Sequence, residues 1–137
     1  MKKIPFLLVL SFVLMAAMAS AKEKKNVIEV LYFKANLACC KAKACNALEG
    51  KVKEIVDKNW ADGSVTFRQV KLTDSSNTEL VKKYNAQSQT LILVKTNKKK
   101  EASLDISAML QEYAKTNDVQ KFDTDFTAKV NEFIKQK

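Results

Sequence analysis

The run "NVIEVLYF", residues Asn26 to Phe33, constrains the fold of this chain more than any other stretch. Val27, Ile28, Val30, Leu31, Tyr32 and Phe33 are apolar or aromatic, and most are β-formers. A strand built from them has no face to leave in water, because the polar/apolar alternation of a half-exposed strand is missing. The run therefore predicts a central strand of a parallel or mixed sheet, with a covering layer on each side.

The segments that follow supply those layers. Cys45, Leu48, Val52, Ile55, Val56 and Trp60 recur at intervals of three and four, the stripe of an amphipathic helix. Gly50 weakens that helix without ending it, and "ADG" at Ala61 to Gly63 ends it. "SVTFRQVKL" predicts a second strand, with Val65, Phe67, Val70 and Leu72 apolar. "TDSSN" reads as a loop whose end caps a short helix, "TELVKKY", with Leu80, Val81 and Tyr84 turned inward. "TLILVK" is a third strand, "TNKK" a turn, and "EASLDI" an antiparallel return strand.

Two helical stripes close the chain. Ile106, Met109, Leu110 and Tyr113 form one; Val119, Phe122, Phe126, Val130, Phe133 and Ile134 form the other, with Asn117 as its expected N-cap. The order is strand, long helix, strand, short helix, strand, strand, helix. It predicts an α/β protein with a central mixed sheet of about four strands flanked by helices. Trp60 is expected to cap the core at the end of the first helix. Tyr32, Phe33 and Phe67 are expected in the sheet core, and Phe122, Phe126 and Phe133 on the packed face of the last helix. Asp74 is expected to close the second strand.

The region before the first strand has a different character. Lys2 and Lys3 precede "IPFLLVLSFVLMAAM" and "ASA", and then the composition changes to "KEKK". Basic, apolar and small residues in that order predict a secretory signal peptide over residues 1–21 and one domain over residues 22–137. The apolar run is shorter than the roughly 20 residues of a spanning helix. The expected product is exported, periplasmic or secreted, with no membrane association after cleavage. Lysine and arginine number 24 against 15 acidic residues, giving a formal charge of +9, yet Arg68 is the only arginine. Bidentate phosphate and base recognition favours arginine. The charge is read as a solvated basic surface, with no nucleic-acid partner.

All three cysteines, Cys39, Cys40 and Cys45, fall within seven residues, and the chain has no histidine. Three chemistries fit. A redox pair would use two thiols, favoured as thiolates by Lys34, Lys41 and Lys43 nearby. A trigonal sulfur site on Cys39, Cys40 and Cys45 would suit Cu(I) or another thiophilic ion such as trivalent arsenic. A structural disulfide is ordinary in an exported domain. Structural zinc normally takes a fourth ligand, and a Ser-His-Asp triad needs a histidine. The odd count leaves a spare thiol able to link two copies. If one regular helix ran through Cys40 and Cys45, five residues of rise would separate them by roughly 7.5 Å along its axis, and they would point about 140° apart. A Cys40–Cys45 bond then needs a loop or distorted first turn near Lys41 to Lys43.

The run "SVTFRQVKLTDSSNTELVKKYNAQSQTLILVK" resembles the middle of the thioredoxin fold: a strand ending near an acidic residue, a short helix closing on Tyr, then Thr-Leu entering a strand. Within that superfamily the chain looks most like the exported proteins labelled nitrophenyl-compound nitroreductase subunit ArsF, with "LYF", Cys45 and "NALEG" in corresponding places. The label is read as a family name and not as evidence of nitroreduction. The resemblance implies a thioredoxin-like fold over nearly all of residues 22–137. It also implies exchange with protein thiols or disulfides of the exported compartment, without a cofactor. Cys40, or else Cys39, would be the exposed attacking thiol at a helix N-terminus, and Cys45 the buried resolving thiol. Gln89 takes the place of the family's cis-proline and, with Thr90, would form the substrate-docking backbone.

Overall fold

A computed structural model describes residues 27–36, 39–97 and 100–136, with positions 39–42 described by their backbone alone. The expected signal peptide at 1–21, the "KEKK" stretch and the last two residues of the "TNKK" turn lie outside the described residues. The elements run β1 (Ile28–Lys34), α1 (Cys39–Asn59), β2 (Val65–Lys71), a 3-10 turn (Ser75–Asn77), α2 (Thr78–Lys83), β3 (Leu91–Asn97), β4 (Lys100–Asp105), α3 (Ser107–Thr116) and α4 (Val119–Lys135). This is an α/β fold with a four-stranded mixed sheet in the order β2-β1-β3-β4.

The unbroken apolar run accounts for the position of β1. It pairs with β2 in parallel from Ile28↔Val65 to Lys34↔Lys71, and with β3 in antiparallel fashion from Ile28↔Lys95 to Tyr32↔Leu91. With neighbours on both edges and helices on both faces, β1 has nowhere to expose an apolar side chain. Its alternate residues split the core in two. Ile28, Val30 and Tyr32 join Cys45, Leu48, Val52, Leu110, Phe126 and Val130 under α1, α3 and α4. Leu31 and Phe33 join Val70, Ile92 and Val94 on the opposite face, against the half-buried Leu80 and Val81 of α2 and Tyr84 at its C-cap. Trp60 is buried just beyond α1 and meets the Phe126 ring edge-on at 6.3 Å.

Three local expectations are corrected. Asn117 is the left-handed C-cap of α3, at φ 54°, and not the N-cap of α4. Asp118 fills that role, its Oδ1 accepting from the Lys121 N–H at 2.9 Å. The α3–α4 corner is so tight that each cap takes one residue, and the helix ending there needs the residue that best tolerates αL. In "TDSSN" the cap comes from the start of the segment: Asp74 Oδ1 accepts from the Ser76 N–H at 2.9 Å, while Asn77 makes no side-chain cap. In the last helical stripe, Val119 and Ile134 are exposed, and the buried face of α4 is carried by Phe122, Phe126, Val130 and Phe133.

The apolar third strand also hides a charge. Lys95 of β3 is buried, and its Nζ donates to the carbonyls of Ile134 at 2.8 Å and Gln136 at 2.6 Å. Helix C-termini leave carbonyls without partners, and a cation there meets the negative end of the dipole. Lys95 thus ties the end of α4 to the sheet.

Candidate functional site

Cys45 lies in the second turn of α1, on the face that packs on β1, and its free thiol is 1% exposed. Side chains alternate along β1, so Tyr32 points at this face while Leu31 and Phe33 point away. The Tyr32 hydroxyl is 3.2 Å from Cys45 Sγ and donates to the Cys45 carbonyl at 3.0 Å. A hydroxyl offers one proton and two lone pairs. It can donate to the carbonyl while accepting from the S–H, or turn its proton to the sulfur when that sulfur is a thiolate. Burial pushes the Tyr32 hydroxyl well above its ordinary range, and the hydrogen bond to Cys45 and the nearby Cys45 and Glu49 charges push the same way. Tyr32 therefore stays a neutral donor at any physiological pH.

A second polar group follows at the carboxyl end of the sheet. Lys34 Nζ donates to Glu49 Oε2 at 2.7 Å, and Gln69 Nε2 donates to Glu49 Oε1 at 2.6 Å. Helical side chains lean toward the N-terminus of their helix. Glu49, one turn beyond Cys45, thus reaches back to the ends of β1 and β2. Both of its oxygens are engaged, and the ion pair is half-buried.

Gln89 and Thr90 reach the same end of the sheet. The Gln89 N–H donates to the Phe33 carbonyl, and the Phe33 N–H donates to the Thr90 carbonyl, both at 2.9 Å. Thr90 Oγ1 accepts from the Gln87 N–H at 2.9 Å, and the Thr90 N–H donates to the Gln87 carbonyl at 3.1 Å. Gln89 is left-handed, at φ 67°, and no peptide bond is cis among the described residues. The corner that the resemblance would fill with cis-proline is made here by a trans, left-handed residue. Its N–H is already bonded to β1.

The sequence-derived residues thus converge in part. Cys45, Gln89, Thr90 and the start of α1 all lie at or near the carboxyl end of β1. Cys39 and Cys40 sit in the first turn of α1, and their side chains are outside the described residues. Among the described residues, no group of three or more potential metal-ligating side chains gathers. A three-thiol site involves side chains beyond that description. No helix among the described residues is long and apolar enough to cross a membrane. Sequence reasoning missed Tyr32, Glu49 and Gln69 as polar partners. Tyr32 was assigned to the core, which is correct for its ring, and its hydroxyl has no sequence signature. Glu49 at i+4 from Cys45 was the one available signal.

No protein-family model and no curated protein matches this chain. A solved structure described as "Structure of a malarial protein" is similar at 21% identity over 58% of this chain and 81% of its own length, with a TM-score of 0.38. That degree of likeness bears neither on the fold nor on the chemistry.

Proposed function

We propose that this chain is an exported thioredoxin-fold protein that exchanges thiols and disulfides through Cys40, or Cys39, and Cys45. The observation that carries the reading is the buried Cys45 thiol under the Tyr32 hydroxyl, on the helix whose first turn holds the other two cysteines. The observed order of strands and helices supports the thioredoxin-like reading. A thiolate at position 40 or 39 attacks a partner disulfide, giving a mixed disulfide and a departing partner thiolate. Cys45 then attacks the protein's own sulfur in that mixed disulfide and releases the partner reduced. Tyr32 serves this second step by donating to Cys45 sulfur as it becomes anionic.

The test is trapping in the native compartment. Cys45→Ser is expected to accumulate mixed disulfides that a reductant dissolves and that a further Cys40→Ser change removes or shifts to Cys39. Absence of any trapped partner, with Cys40→Ser indistinguishable from the parent chain, would overturn the mechanism.

A further inference from the structure

The carboxyl ends of β1 and β2 hold more positive charge than their own contacts neutralise. The parallel register sets Lys34 opposite Lys71. Two residues before each, Tyr32 and Gln69 meet α1 side chains, so alternation brings both lysines to the α1 side as well. Beyond them opens a cavity of about 190 Å³ lined by Lys34, Ala35, Asn36, Lys71 and Thr73. Lys34 is paired with Glu49, whose second oxygen is taken by Gln69. Lys71 is exposed and has no ion pair among the described residues. The nearest acid along the chain, Asp74, accepts at Oδ1 from the Ser76 N–H and hydroxyl, and the Lys71 charge adds a smaller downward push on its carboxyl without an ion-pair contact. The cavity thus combines an exposed ammonium group that has no ion-pair contact among the described residues with Asn36 and Thr73, two side chains able to donate hydrogen bonds.

We propose that this cavity takes a carboxylate borne by the substrate beside its disulfide, an inference that rests on the thiol–disulfide reading above. Asn36 precedes Cys39 by three residues, and three residues of chain span at most about 11 Å. A carboxylate seated on Lys71 and Asn36 would lie within that span of the start of α1, and in this proposal it presents a disulfide a few bonds away to the first turn of that helix. The protein thiolate bonds to one substrate sulfur, the substrate S–S bond breaks, and the departing thiolate takes a proton from water. The carboxylate takes no part in the bond changes and only positions the disulfide.

Three small disulfides separate this idea from the general attraction of a basic protein: 3,3′-dithiodipropionate (anionic), bis(2-hydroxyethyl) disulfide (neutral) and cystamine (cationic). Thiol loss from the reduced protein is followed by acid quenching and mass spectrometry, each rate being normalised to that of the uncharged thiol 2-mercaptoethanol with the same disulfide. The anionic probe is expected to react fastest and the cationic one slowest. Lys71→Gln is expected to lower the anionic-to-neutral ratio about fivefold, the effect of one unit charge at contact distance in water. Lys100→Gln, with the same net charge but at the far end of the sheet, should leave the ratio unchanged. Equal normalised rates for all three probes, or the same drop in Lys100→Gln, would overturn the cavity's role and leave the thiol chemistry standing. If no probe reacts, the thiol–disulfide reading fails, and the cavity is judged by succinate titration in NMR. Shifts at Asn36, Lys71 and Thr73 that vanish in Lys71→Gln would support an anion site, and their absence would overturn it.

Discussion

The Tyr32 hydroxyl stands 3.2 Å from the Cys45 sulfur and 3.0 Å from the carbonyl oxygen of the same residue. It joins the central strand to the second turn of the helix that covers it. A polar pair in so apolar a core is tolerated because each group satisfies the other. Removing one leaves its partner buried and short of a bond. Tyr32→Phe is therefore expected to lower stability by about 1 kcal/mol, and a double-mutant cycle with Cys45→Ala to show a coupling of similar size. Urea denaturation of the four proteins measures both. A coupling near zero would mean the two groups are neighbours without being partners.

The same hydroxyl makes stability pH-dependent on the alkaline side. The folded Tyr32 holds its proton above the ordinary tyrosine range, so above about pH 10 the unfolded chain binds fewer protons than the folded one. Stability from this source is fully present below that pH and falls as pH rises beyond it. Tyr84 is shifted upward as well, by burial first and then by its hydrogen bond to Glu101, so it adds to the decline. Urea midpoints between pH 8 and 11 should fall less steeply in Tyr32→Phe than in the parent chain. Equal slopes would show that Tyr32 titrates normally.

On the acid side the Lys83 ammonium and then the Tyr84 hydroxyl hold the Glu101 carboxyl below its ordinary range. This contribution is present above the unfolded carboxylate value and is lost as pH falls through the folded one. The pair is exposed, so the effect is small and screened by salt. Glu101→Gln should flatten the stability profile below about pH 4.3 at low salt and have little effect there at high salt. A profile unchanged by the substitution at both salt levels would count against the contact.

The α3–α4 corner tests which residue caps which helix. Asp118→Ala removes the acceptor of the Lys121 N–H and should cost about 1 kcal/mol. Asn117→Gly should be neutral or mildly stabilising, because φ 54° is easy for glycine. Asn117→Ala should instead destabilise. Were Asn117 the N-cap, glycine and alanine there would both weaken α4, and thermal melts of the three variants decide between these outcomes.

Much of the fold was legible because burial forces periodicity. The unbroken apolar run of β1 could only be central, and the stripe from Cys45 to Trp60 could only face it. The cap at Asn117 was placed one residue early because Asn and Asp serve both helix ends, and only the left-handed turn separates their roles. The burial of Lys95 was not legible, since nothing local to β3 reveals carbonyls arriving from α4, 39 residues later. The polar partners of Cys45 were hidden for the same reason: Tyr32 and Gln69 sit on two different strands, and only sheet register brings them to one helix face.

The cysteine spacing sets the final prediction. α1 begins at Cys39 and runs without a break, so positions 40 and 45 are on one helix, roughly 7.5 Å apart along its axis and about 140° around it. A disulfide rarely spans Cα atoms more than about 6.8 Å apart. On the proposed thiol–disulfide reading, closing a Cys40–Cys45 bond would unwind the first turn, and the helix energy lost would make that bond easier to reduce. Alkylation and mass spectrometry across glutathione buffers should give a midpoint between about −270 and −120 mV, the range of working oxidoreductases. Amide exchange at residues 41–45 should speed up on oxidation while that at 52–56, locked in the core, does not. A bond that stays oxidised well below about −300 mV, with protection at 41–45 intact, would mean a structural staple in place of a redox couple.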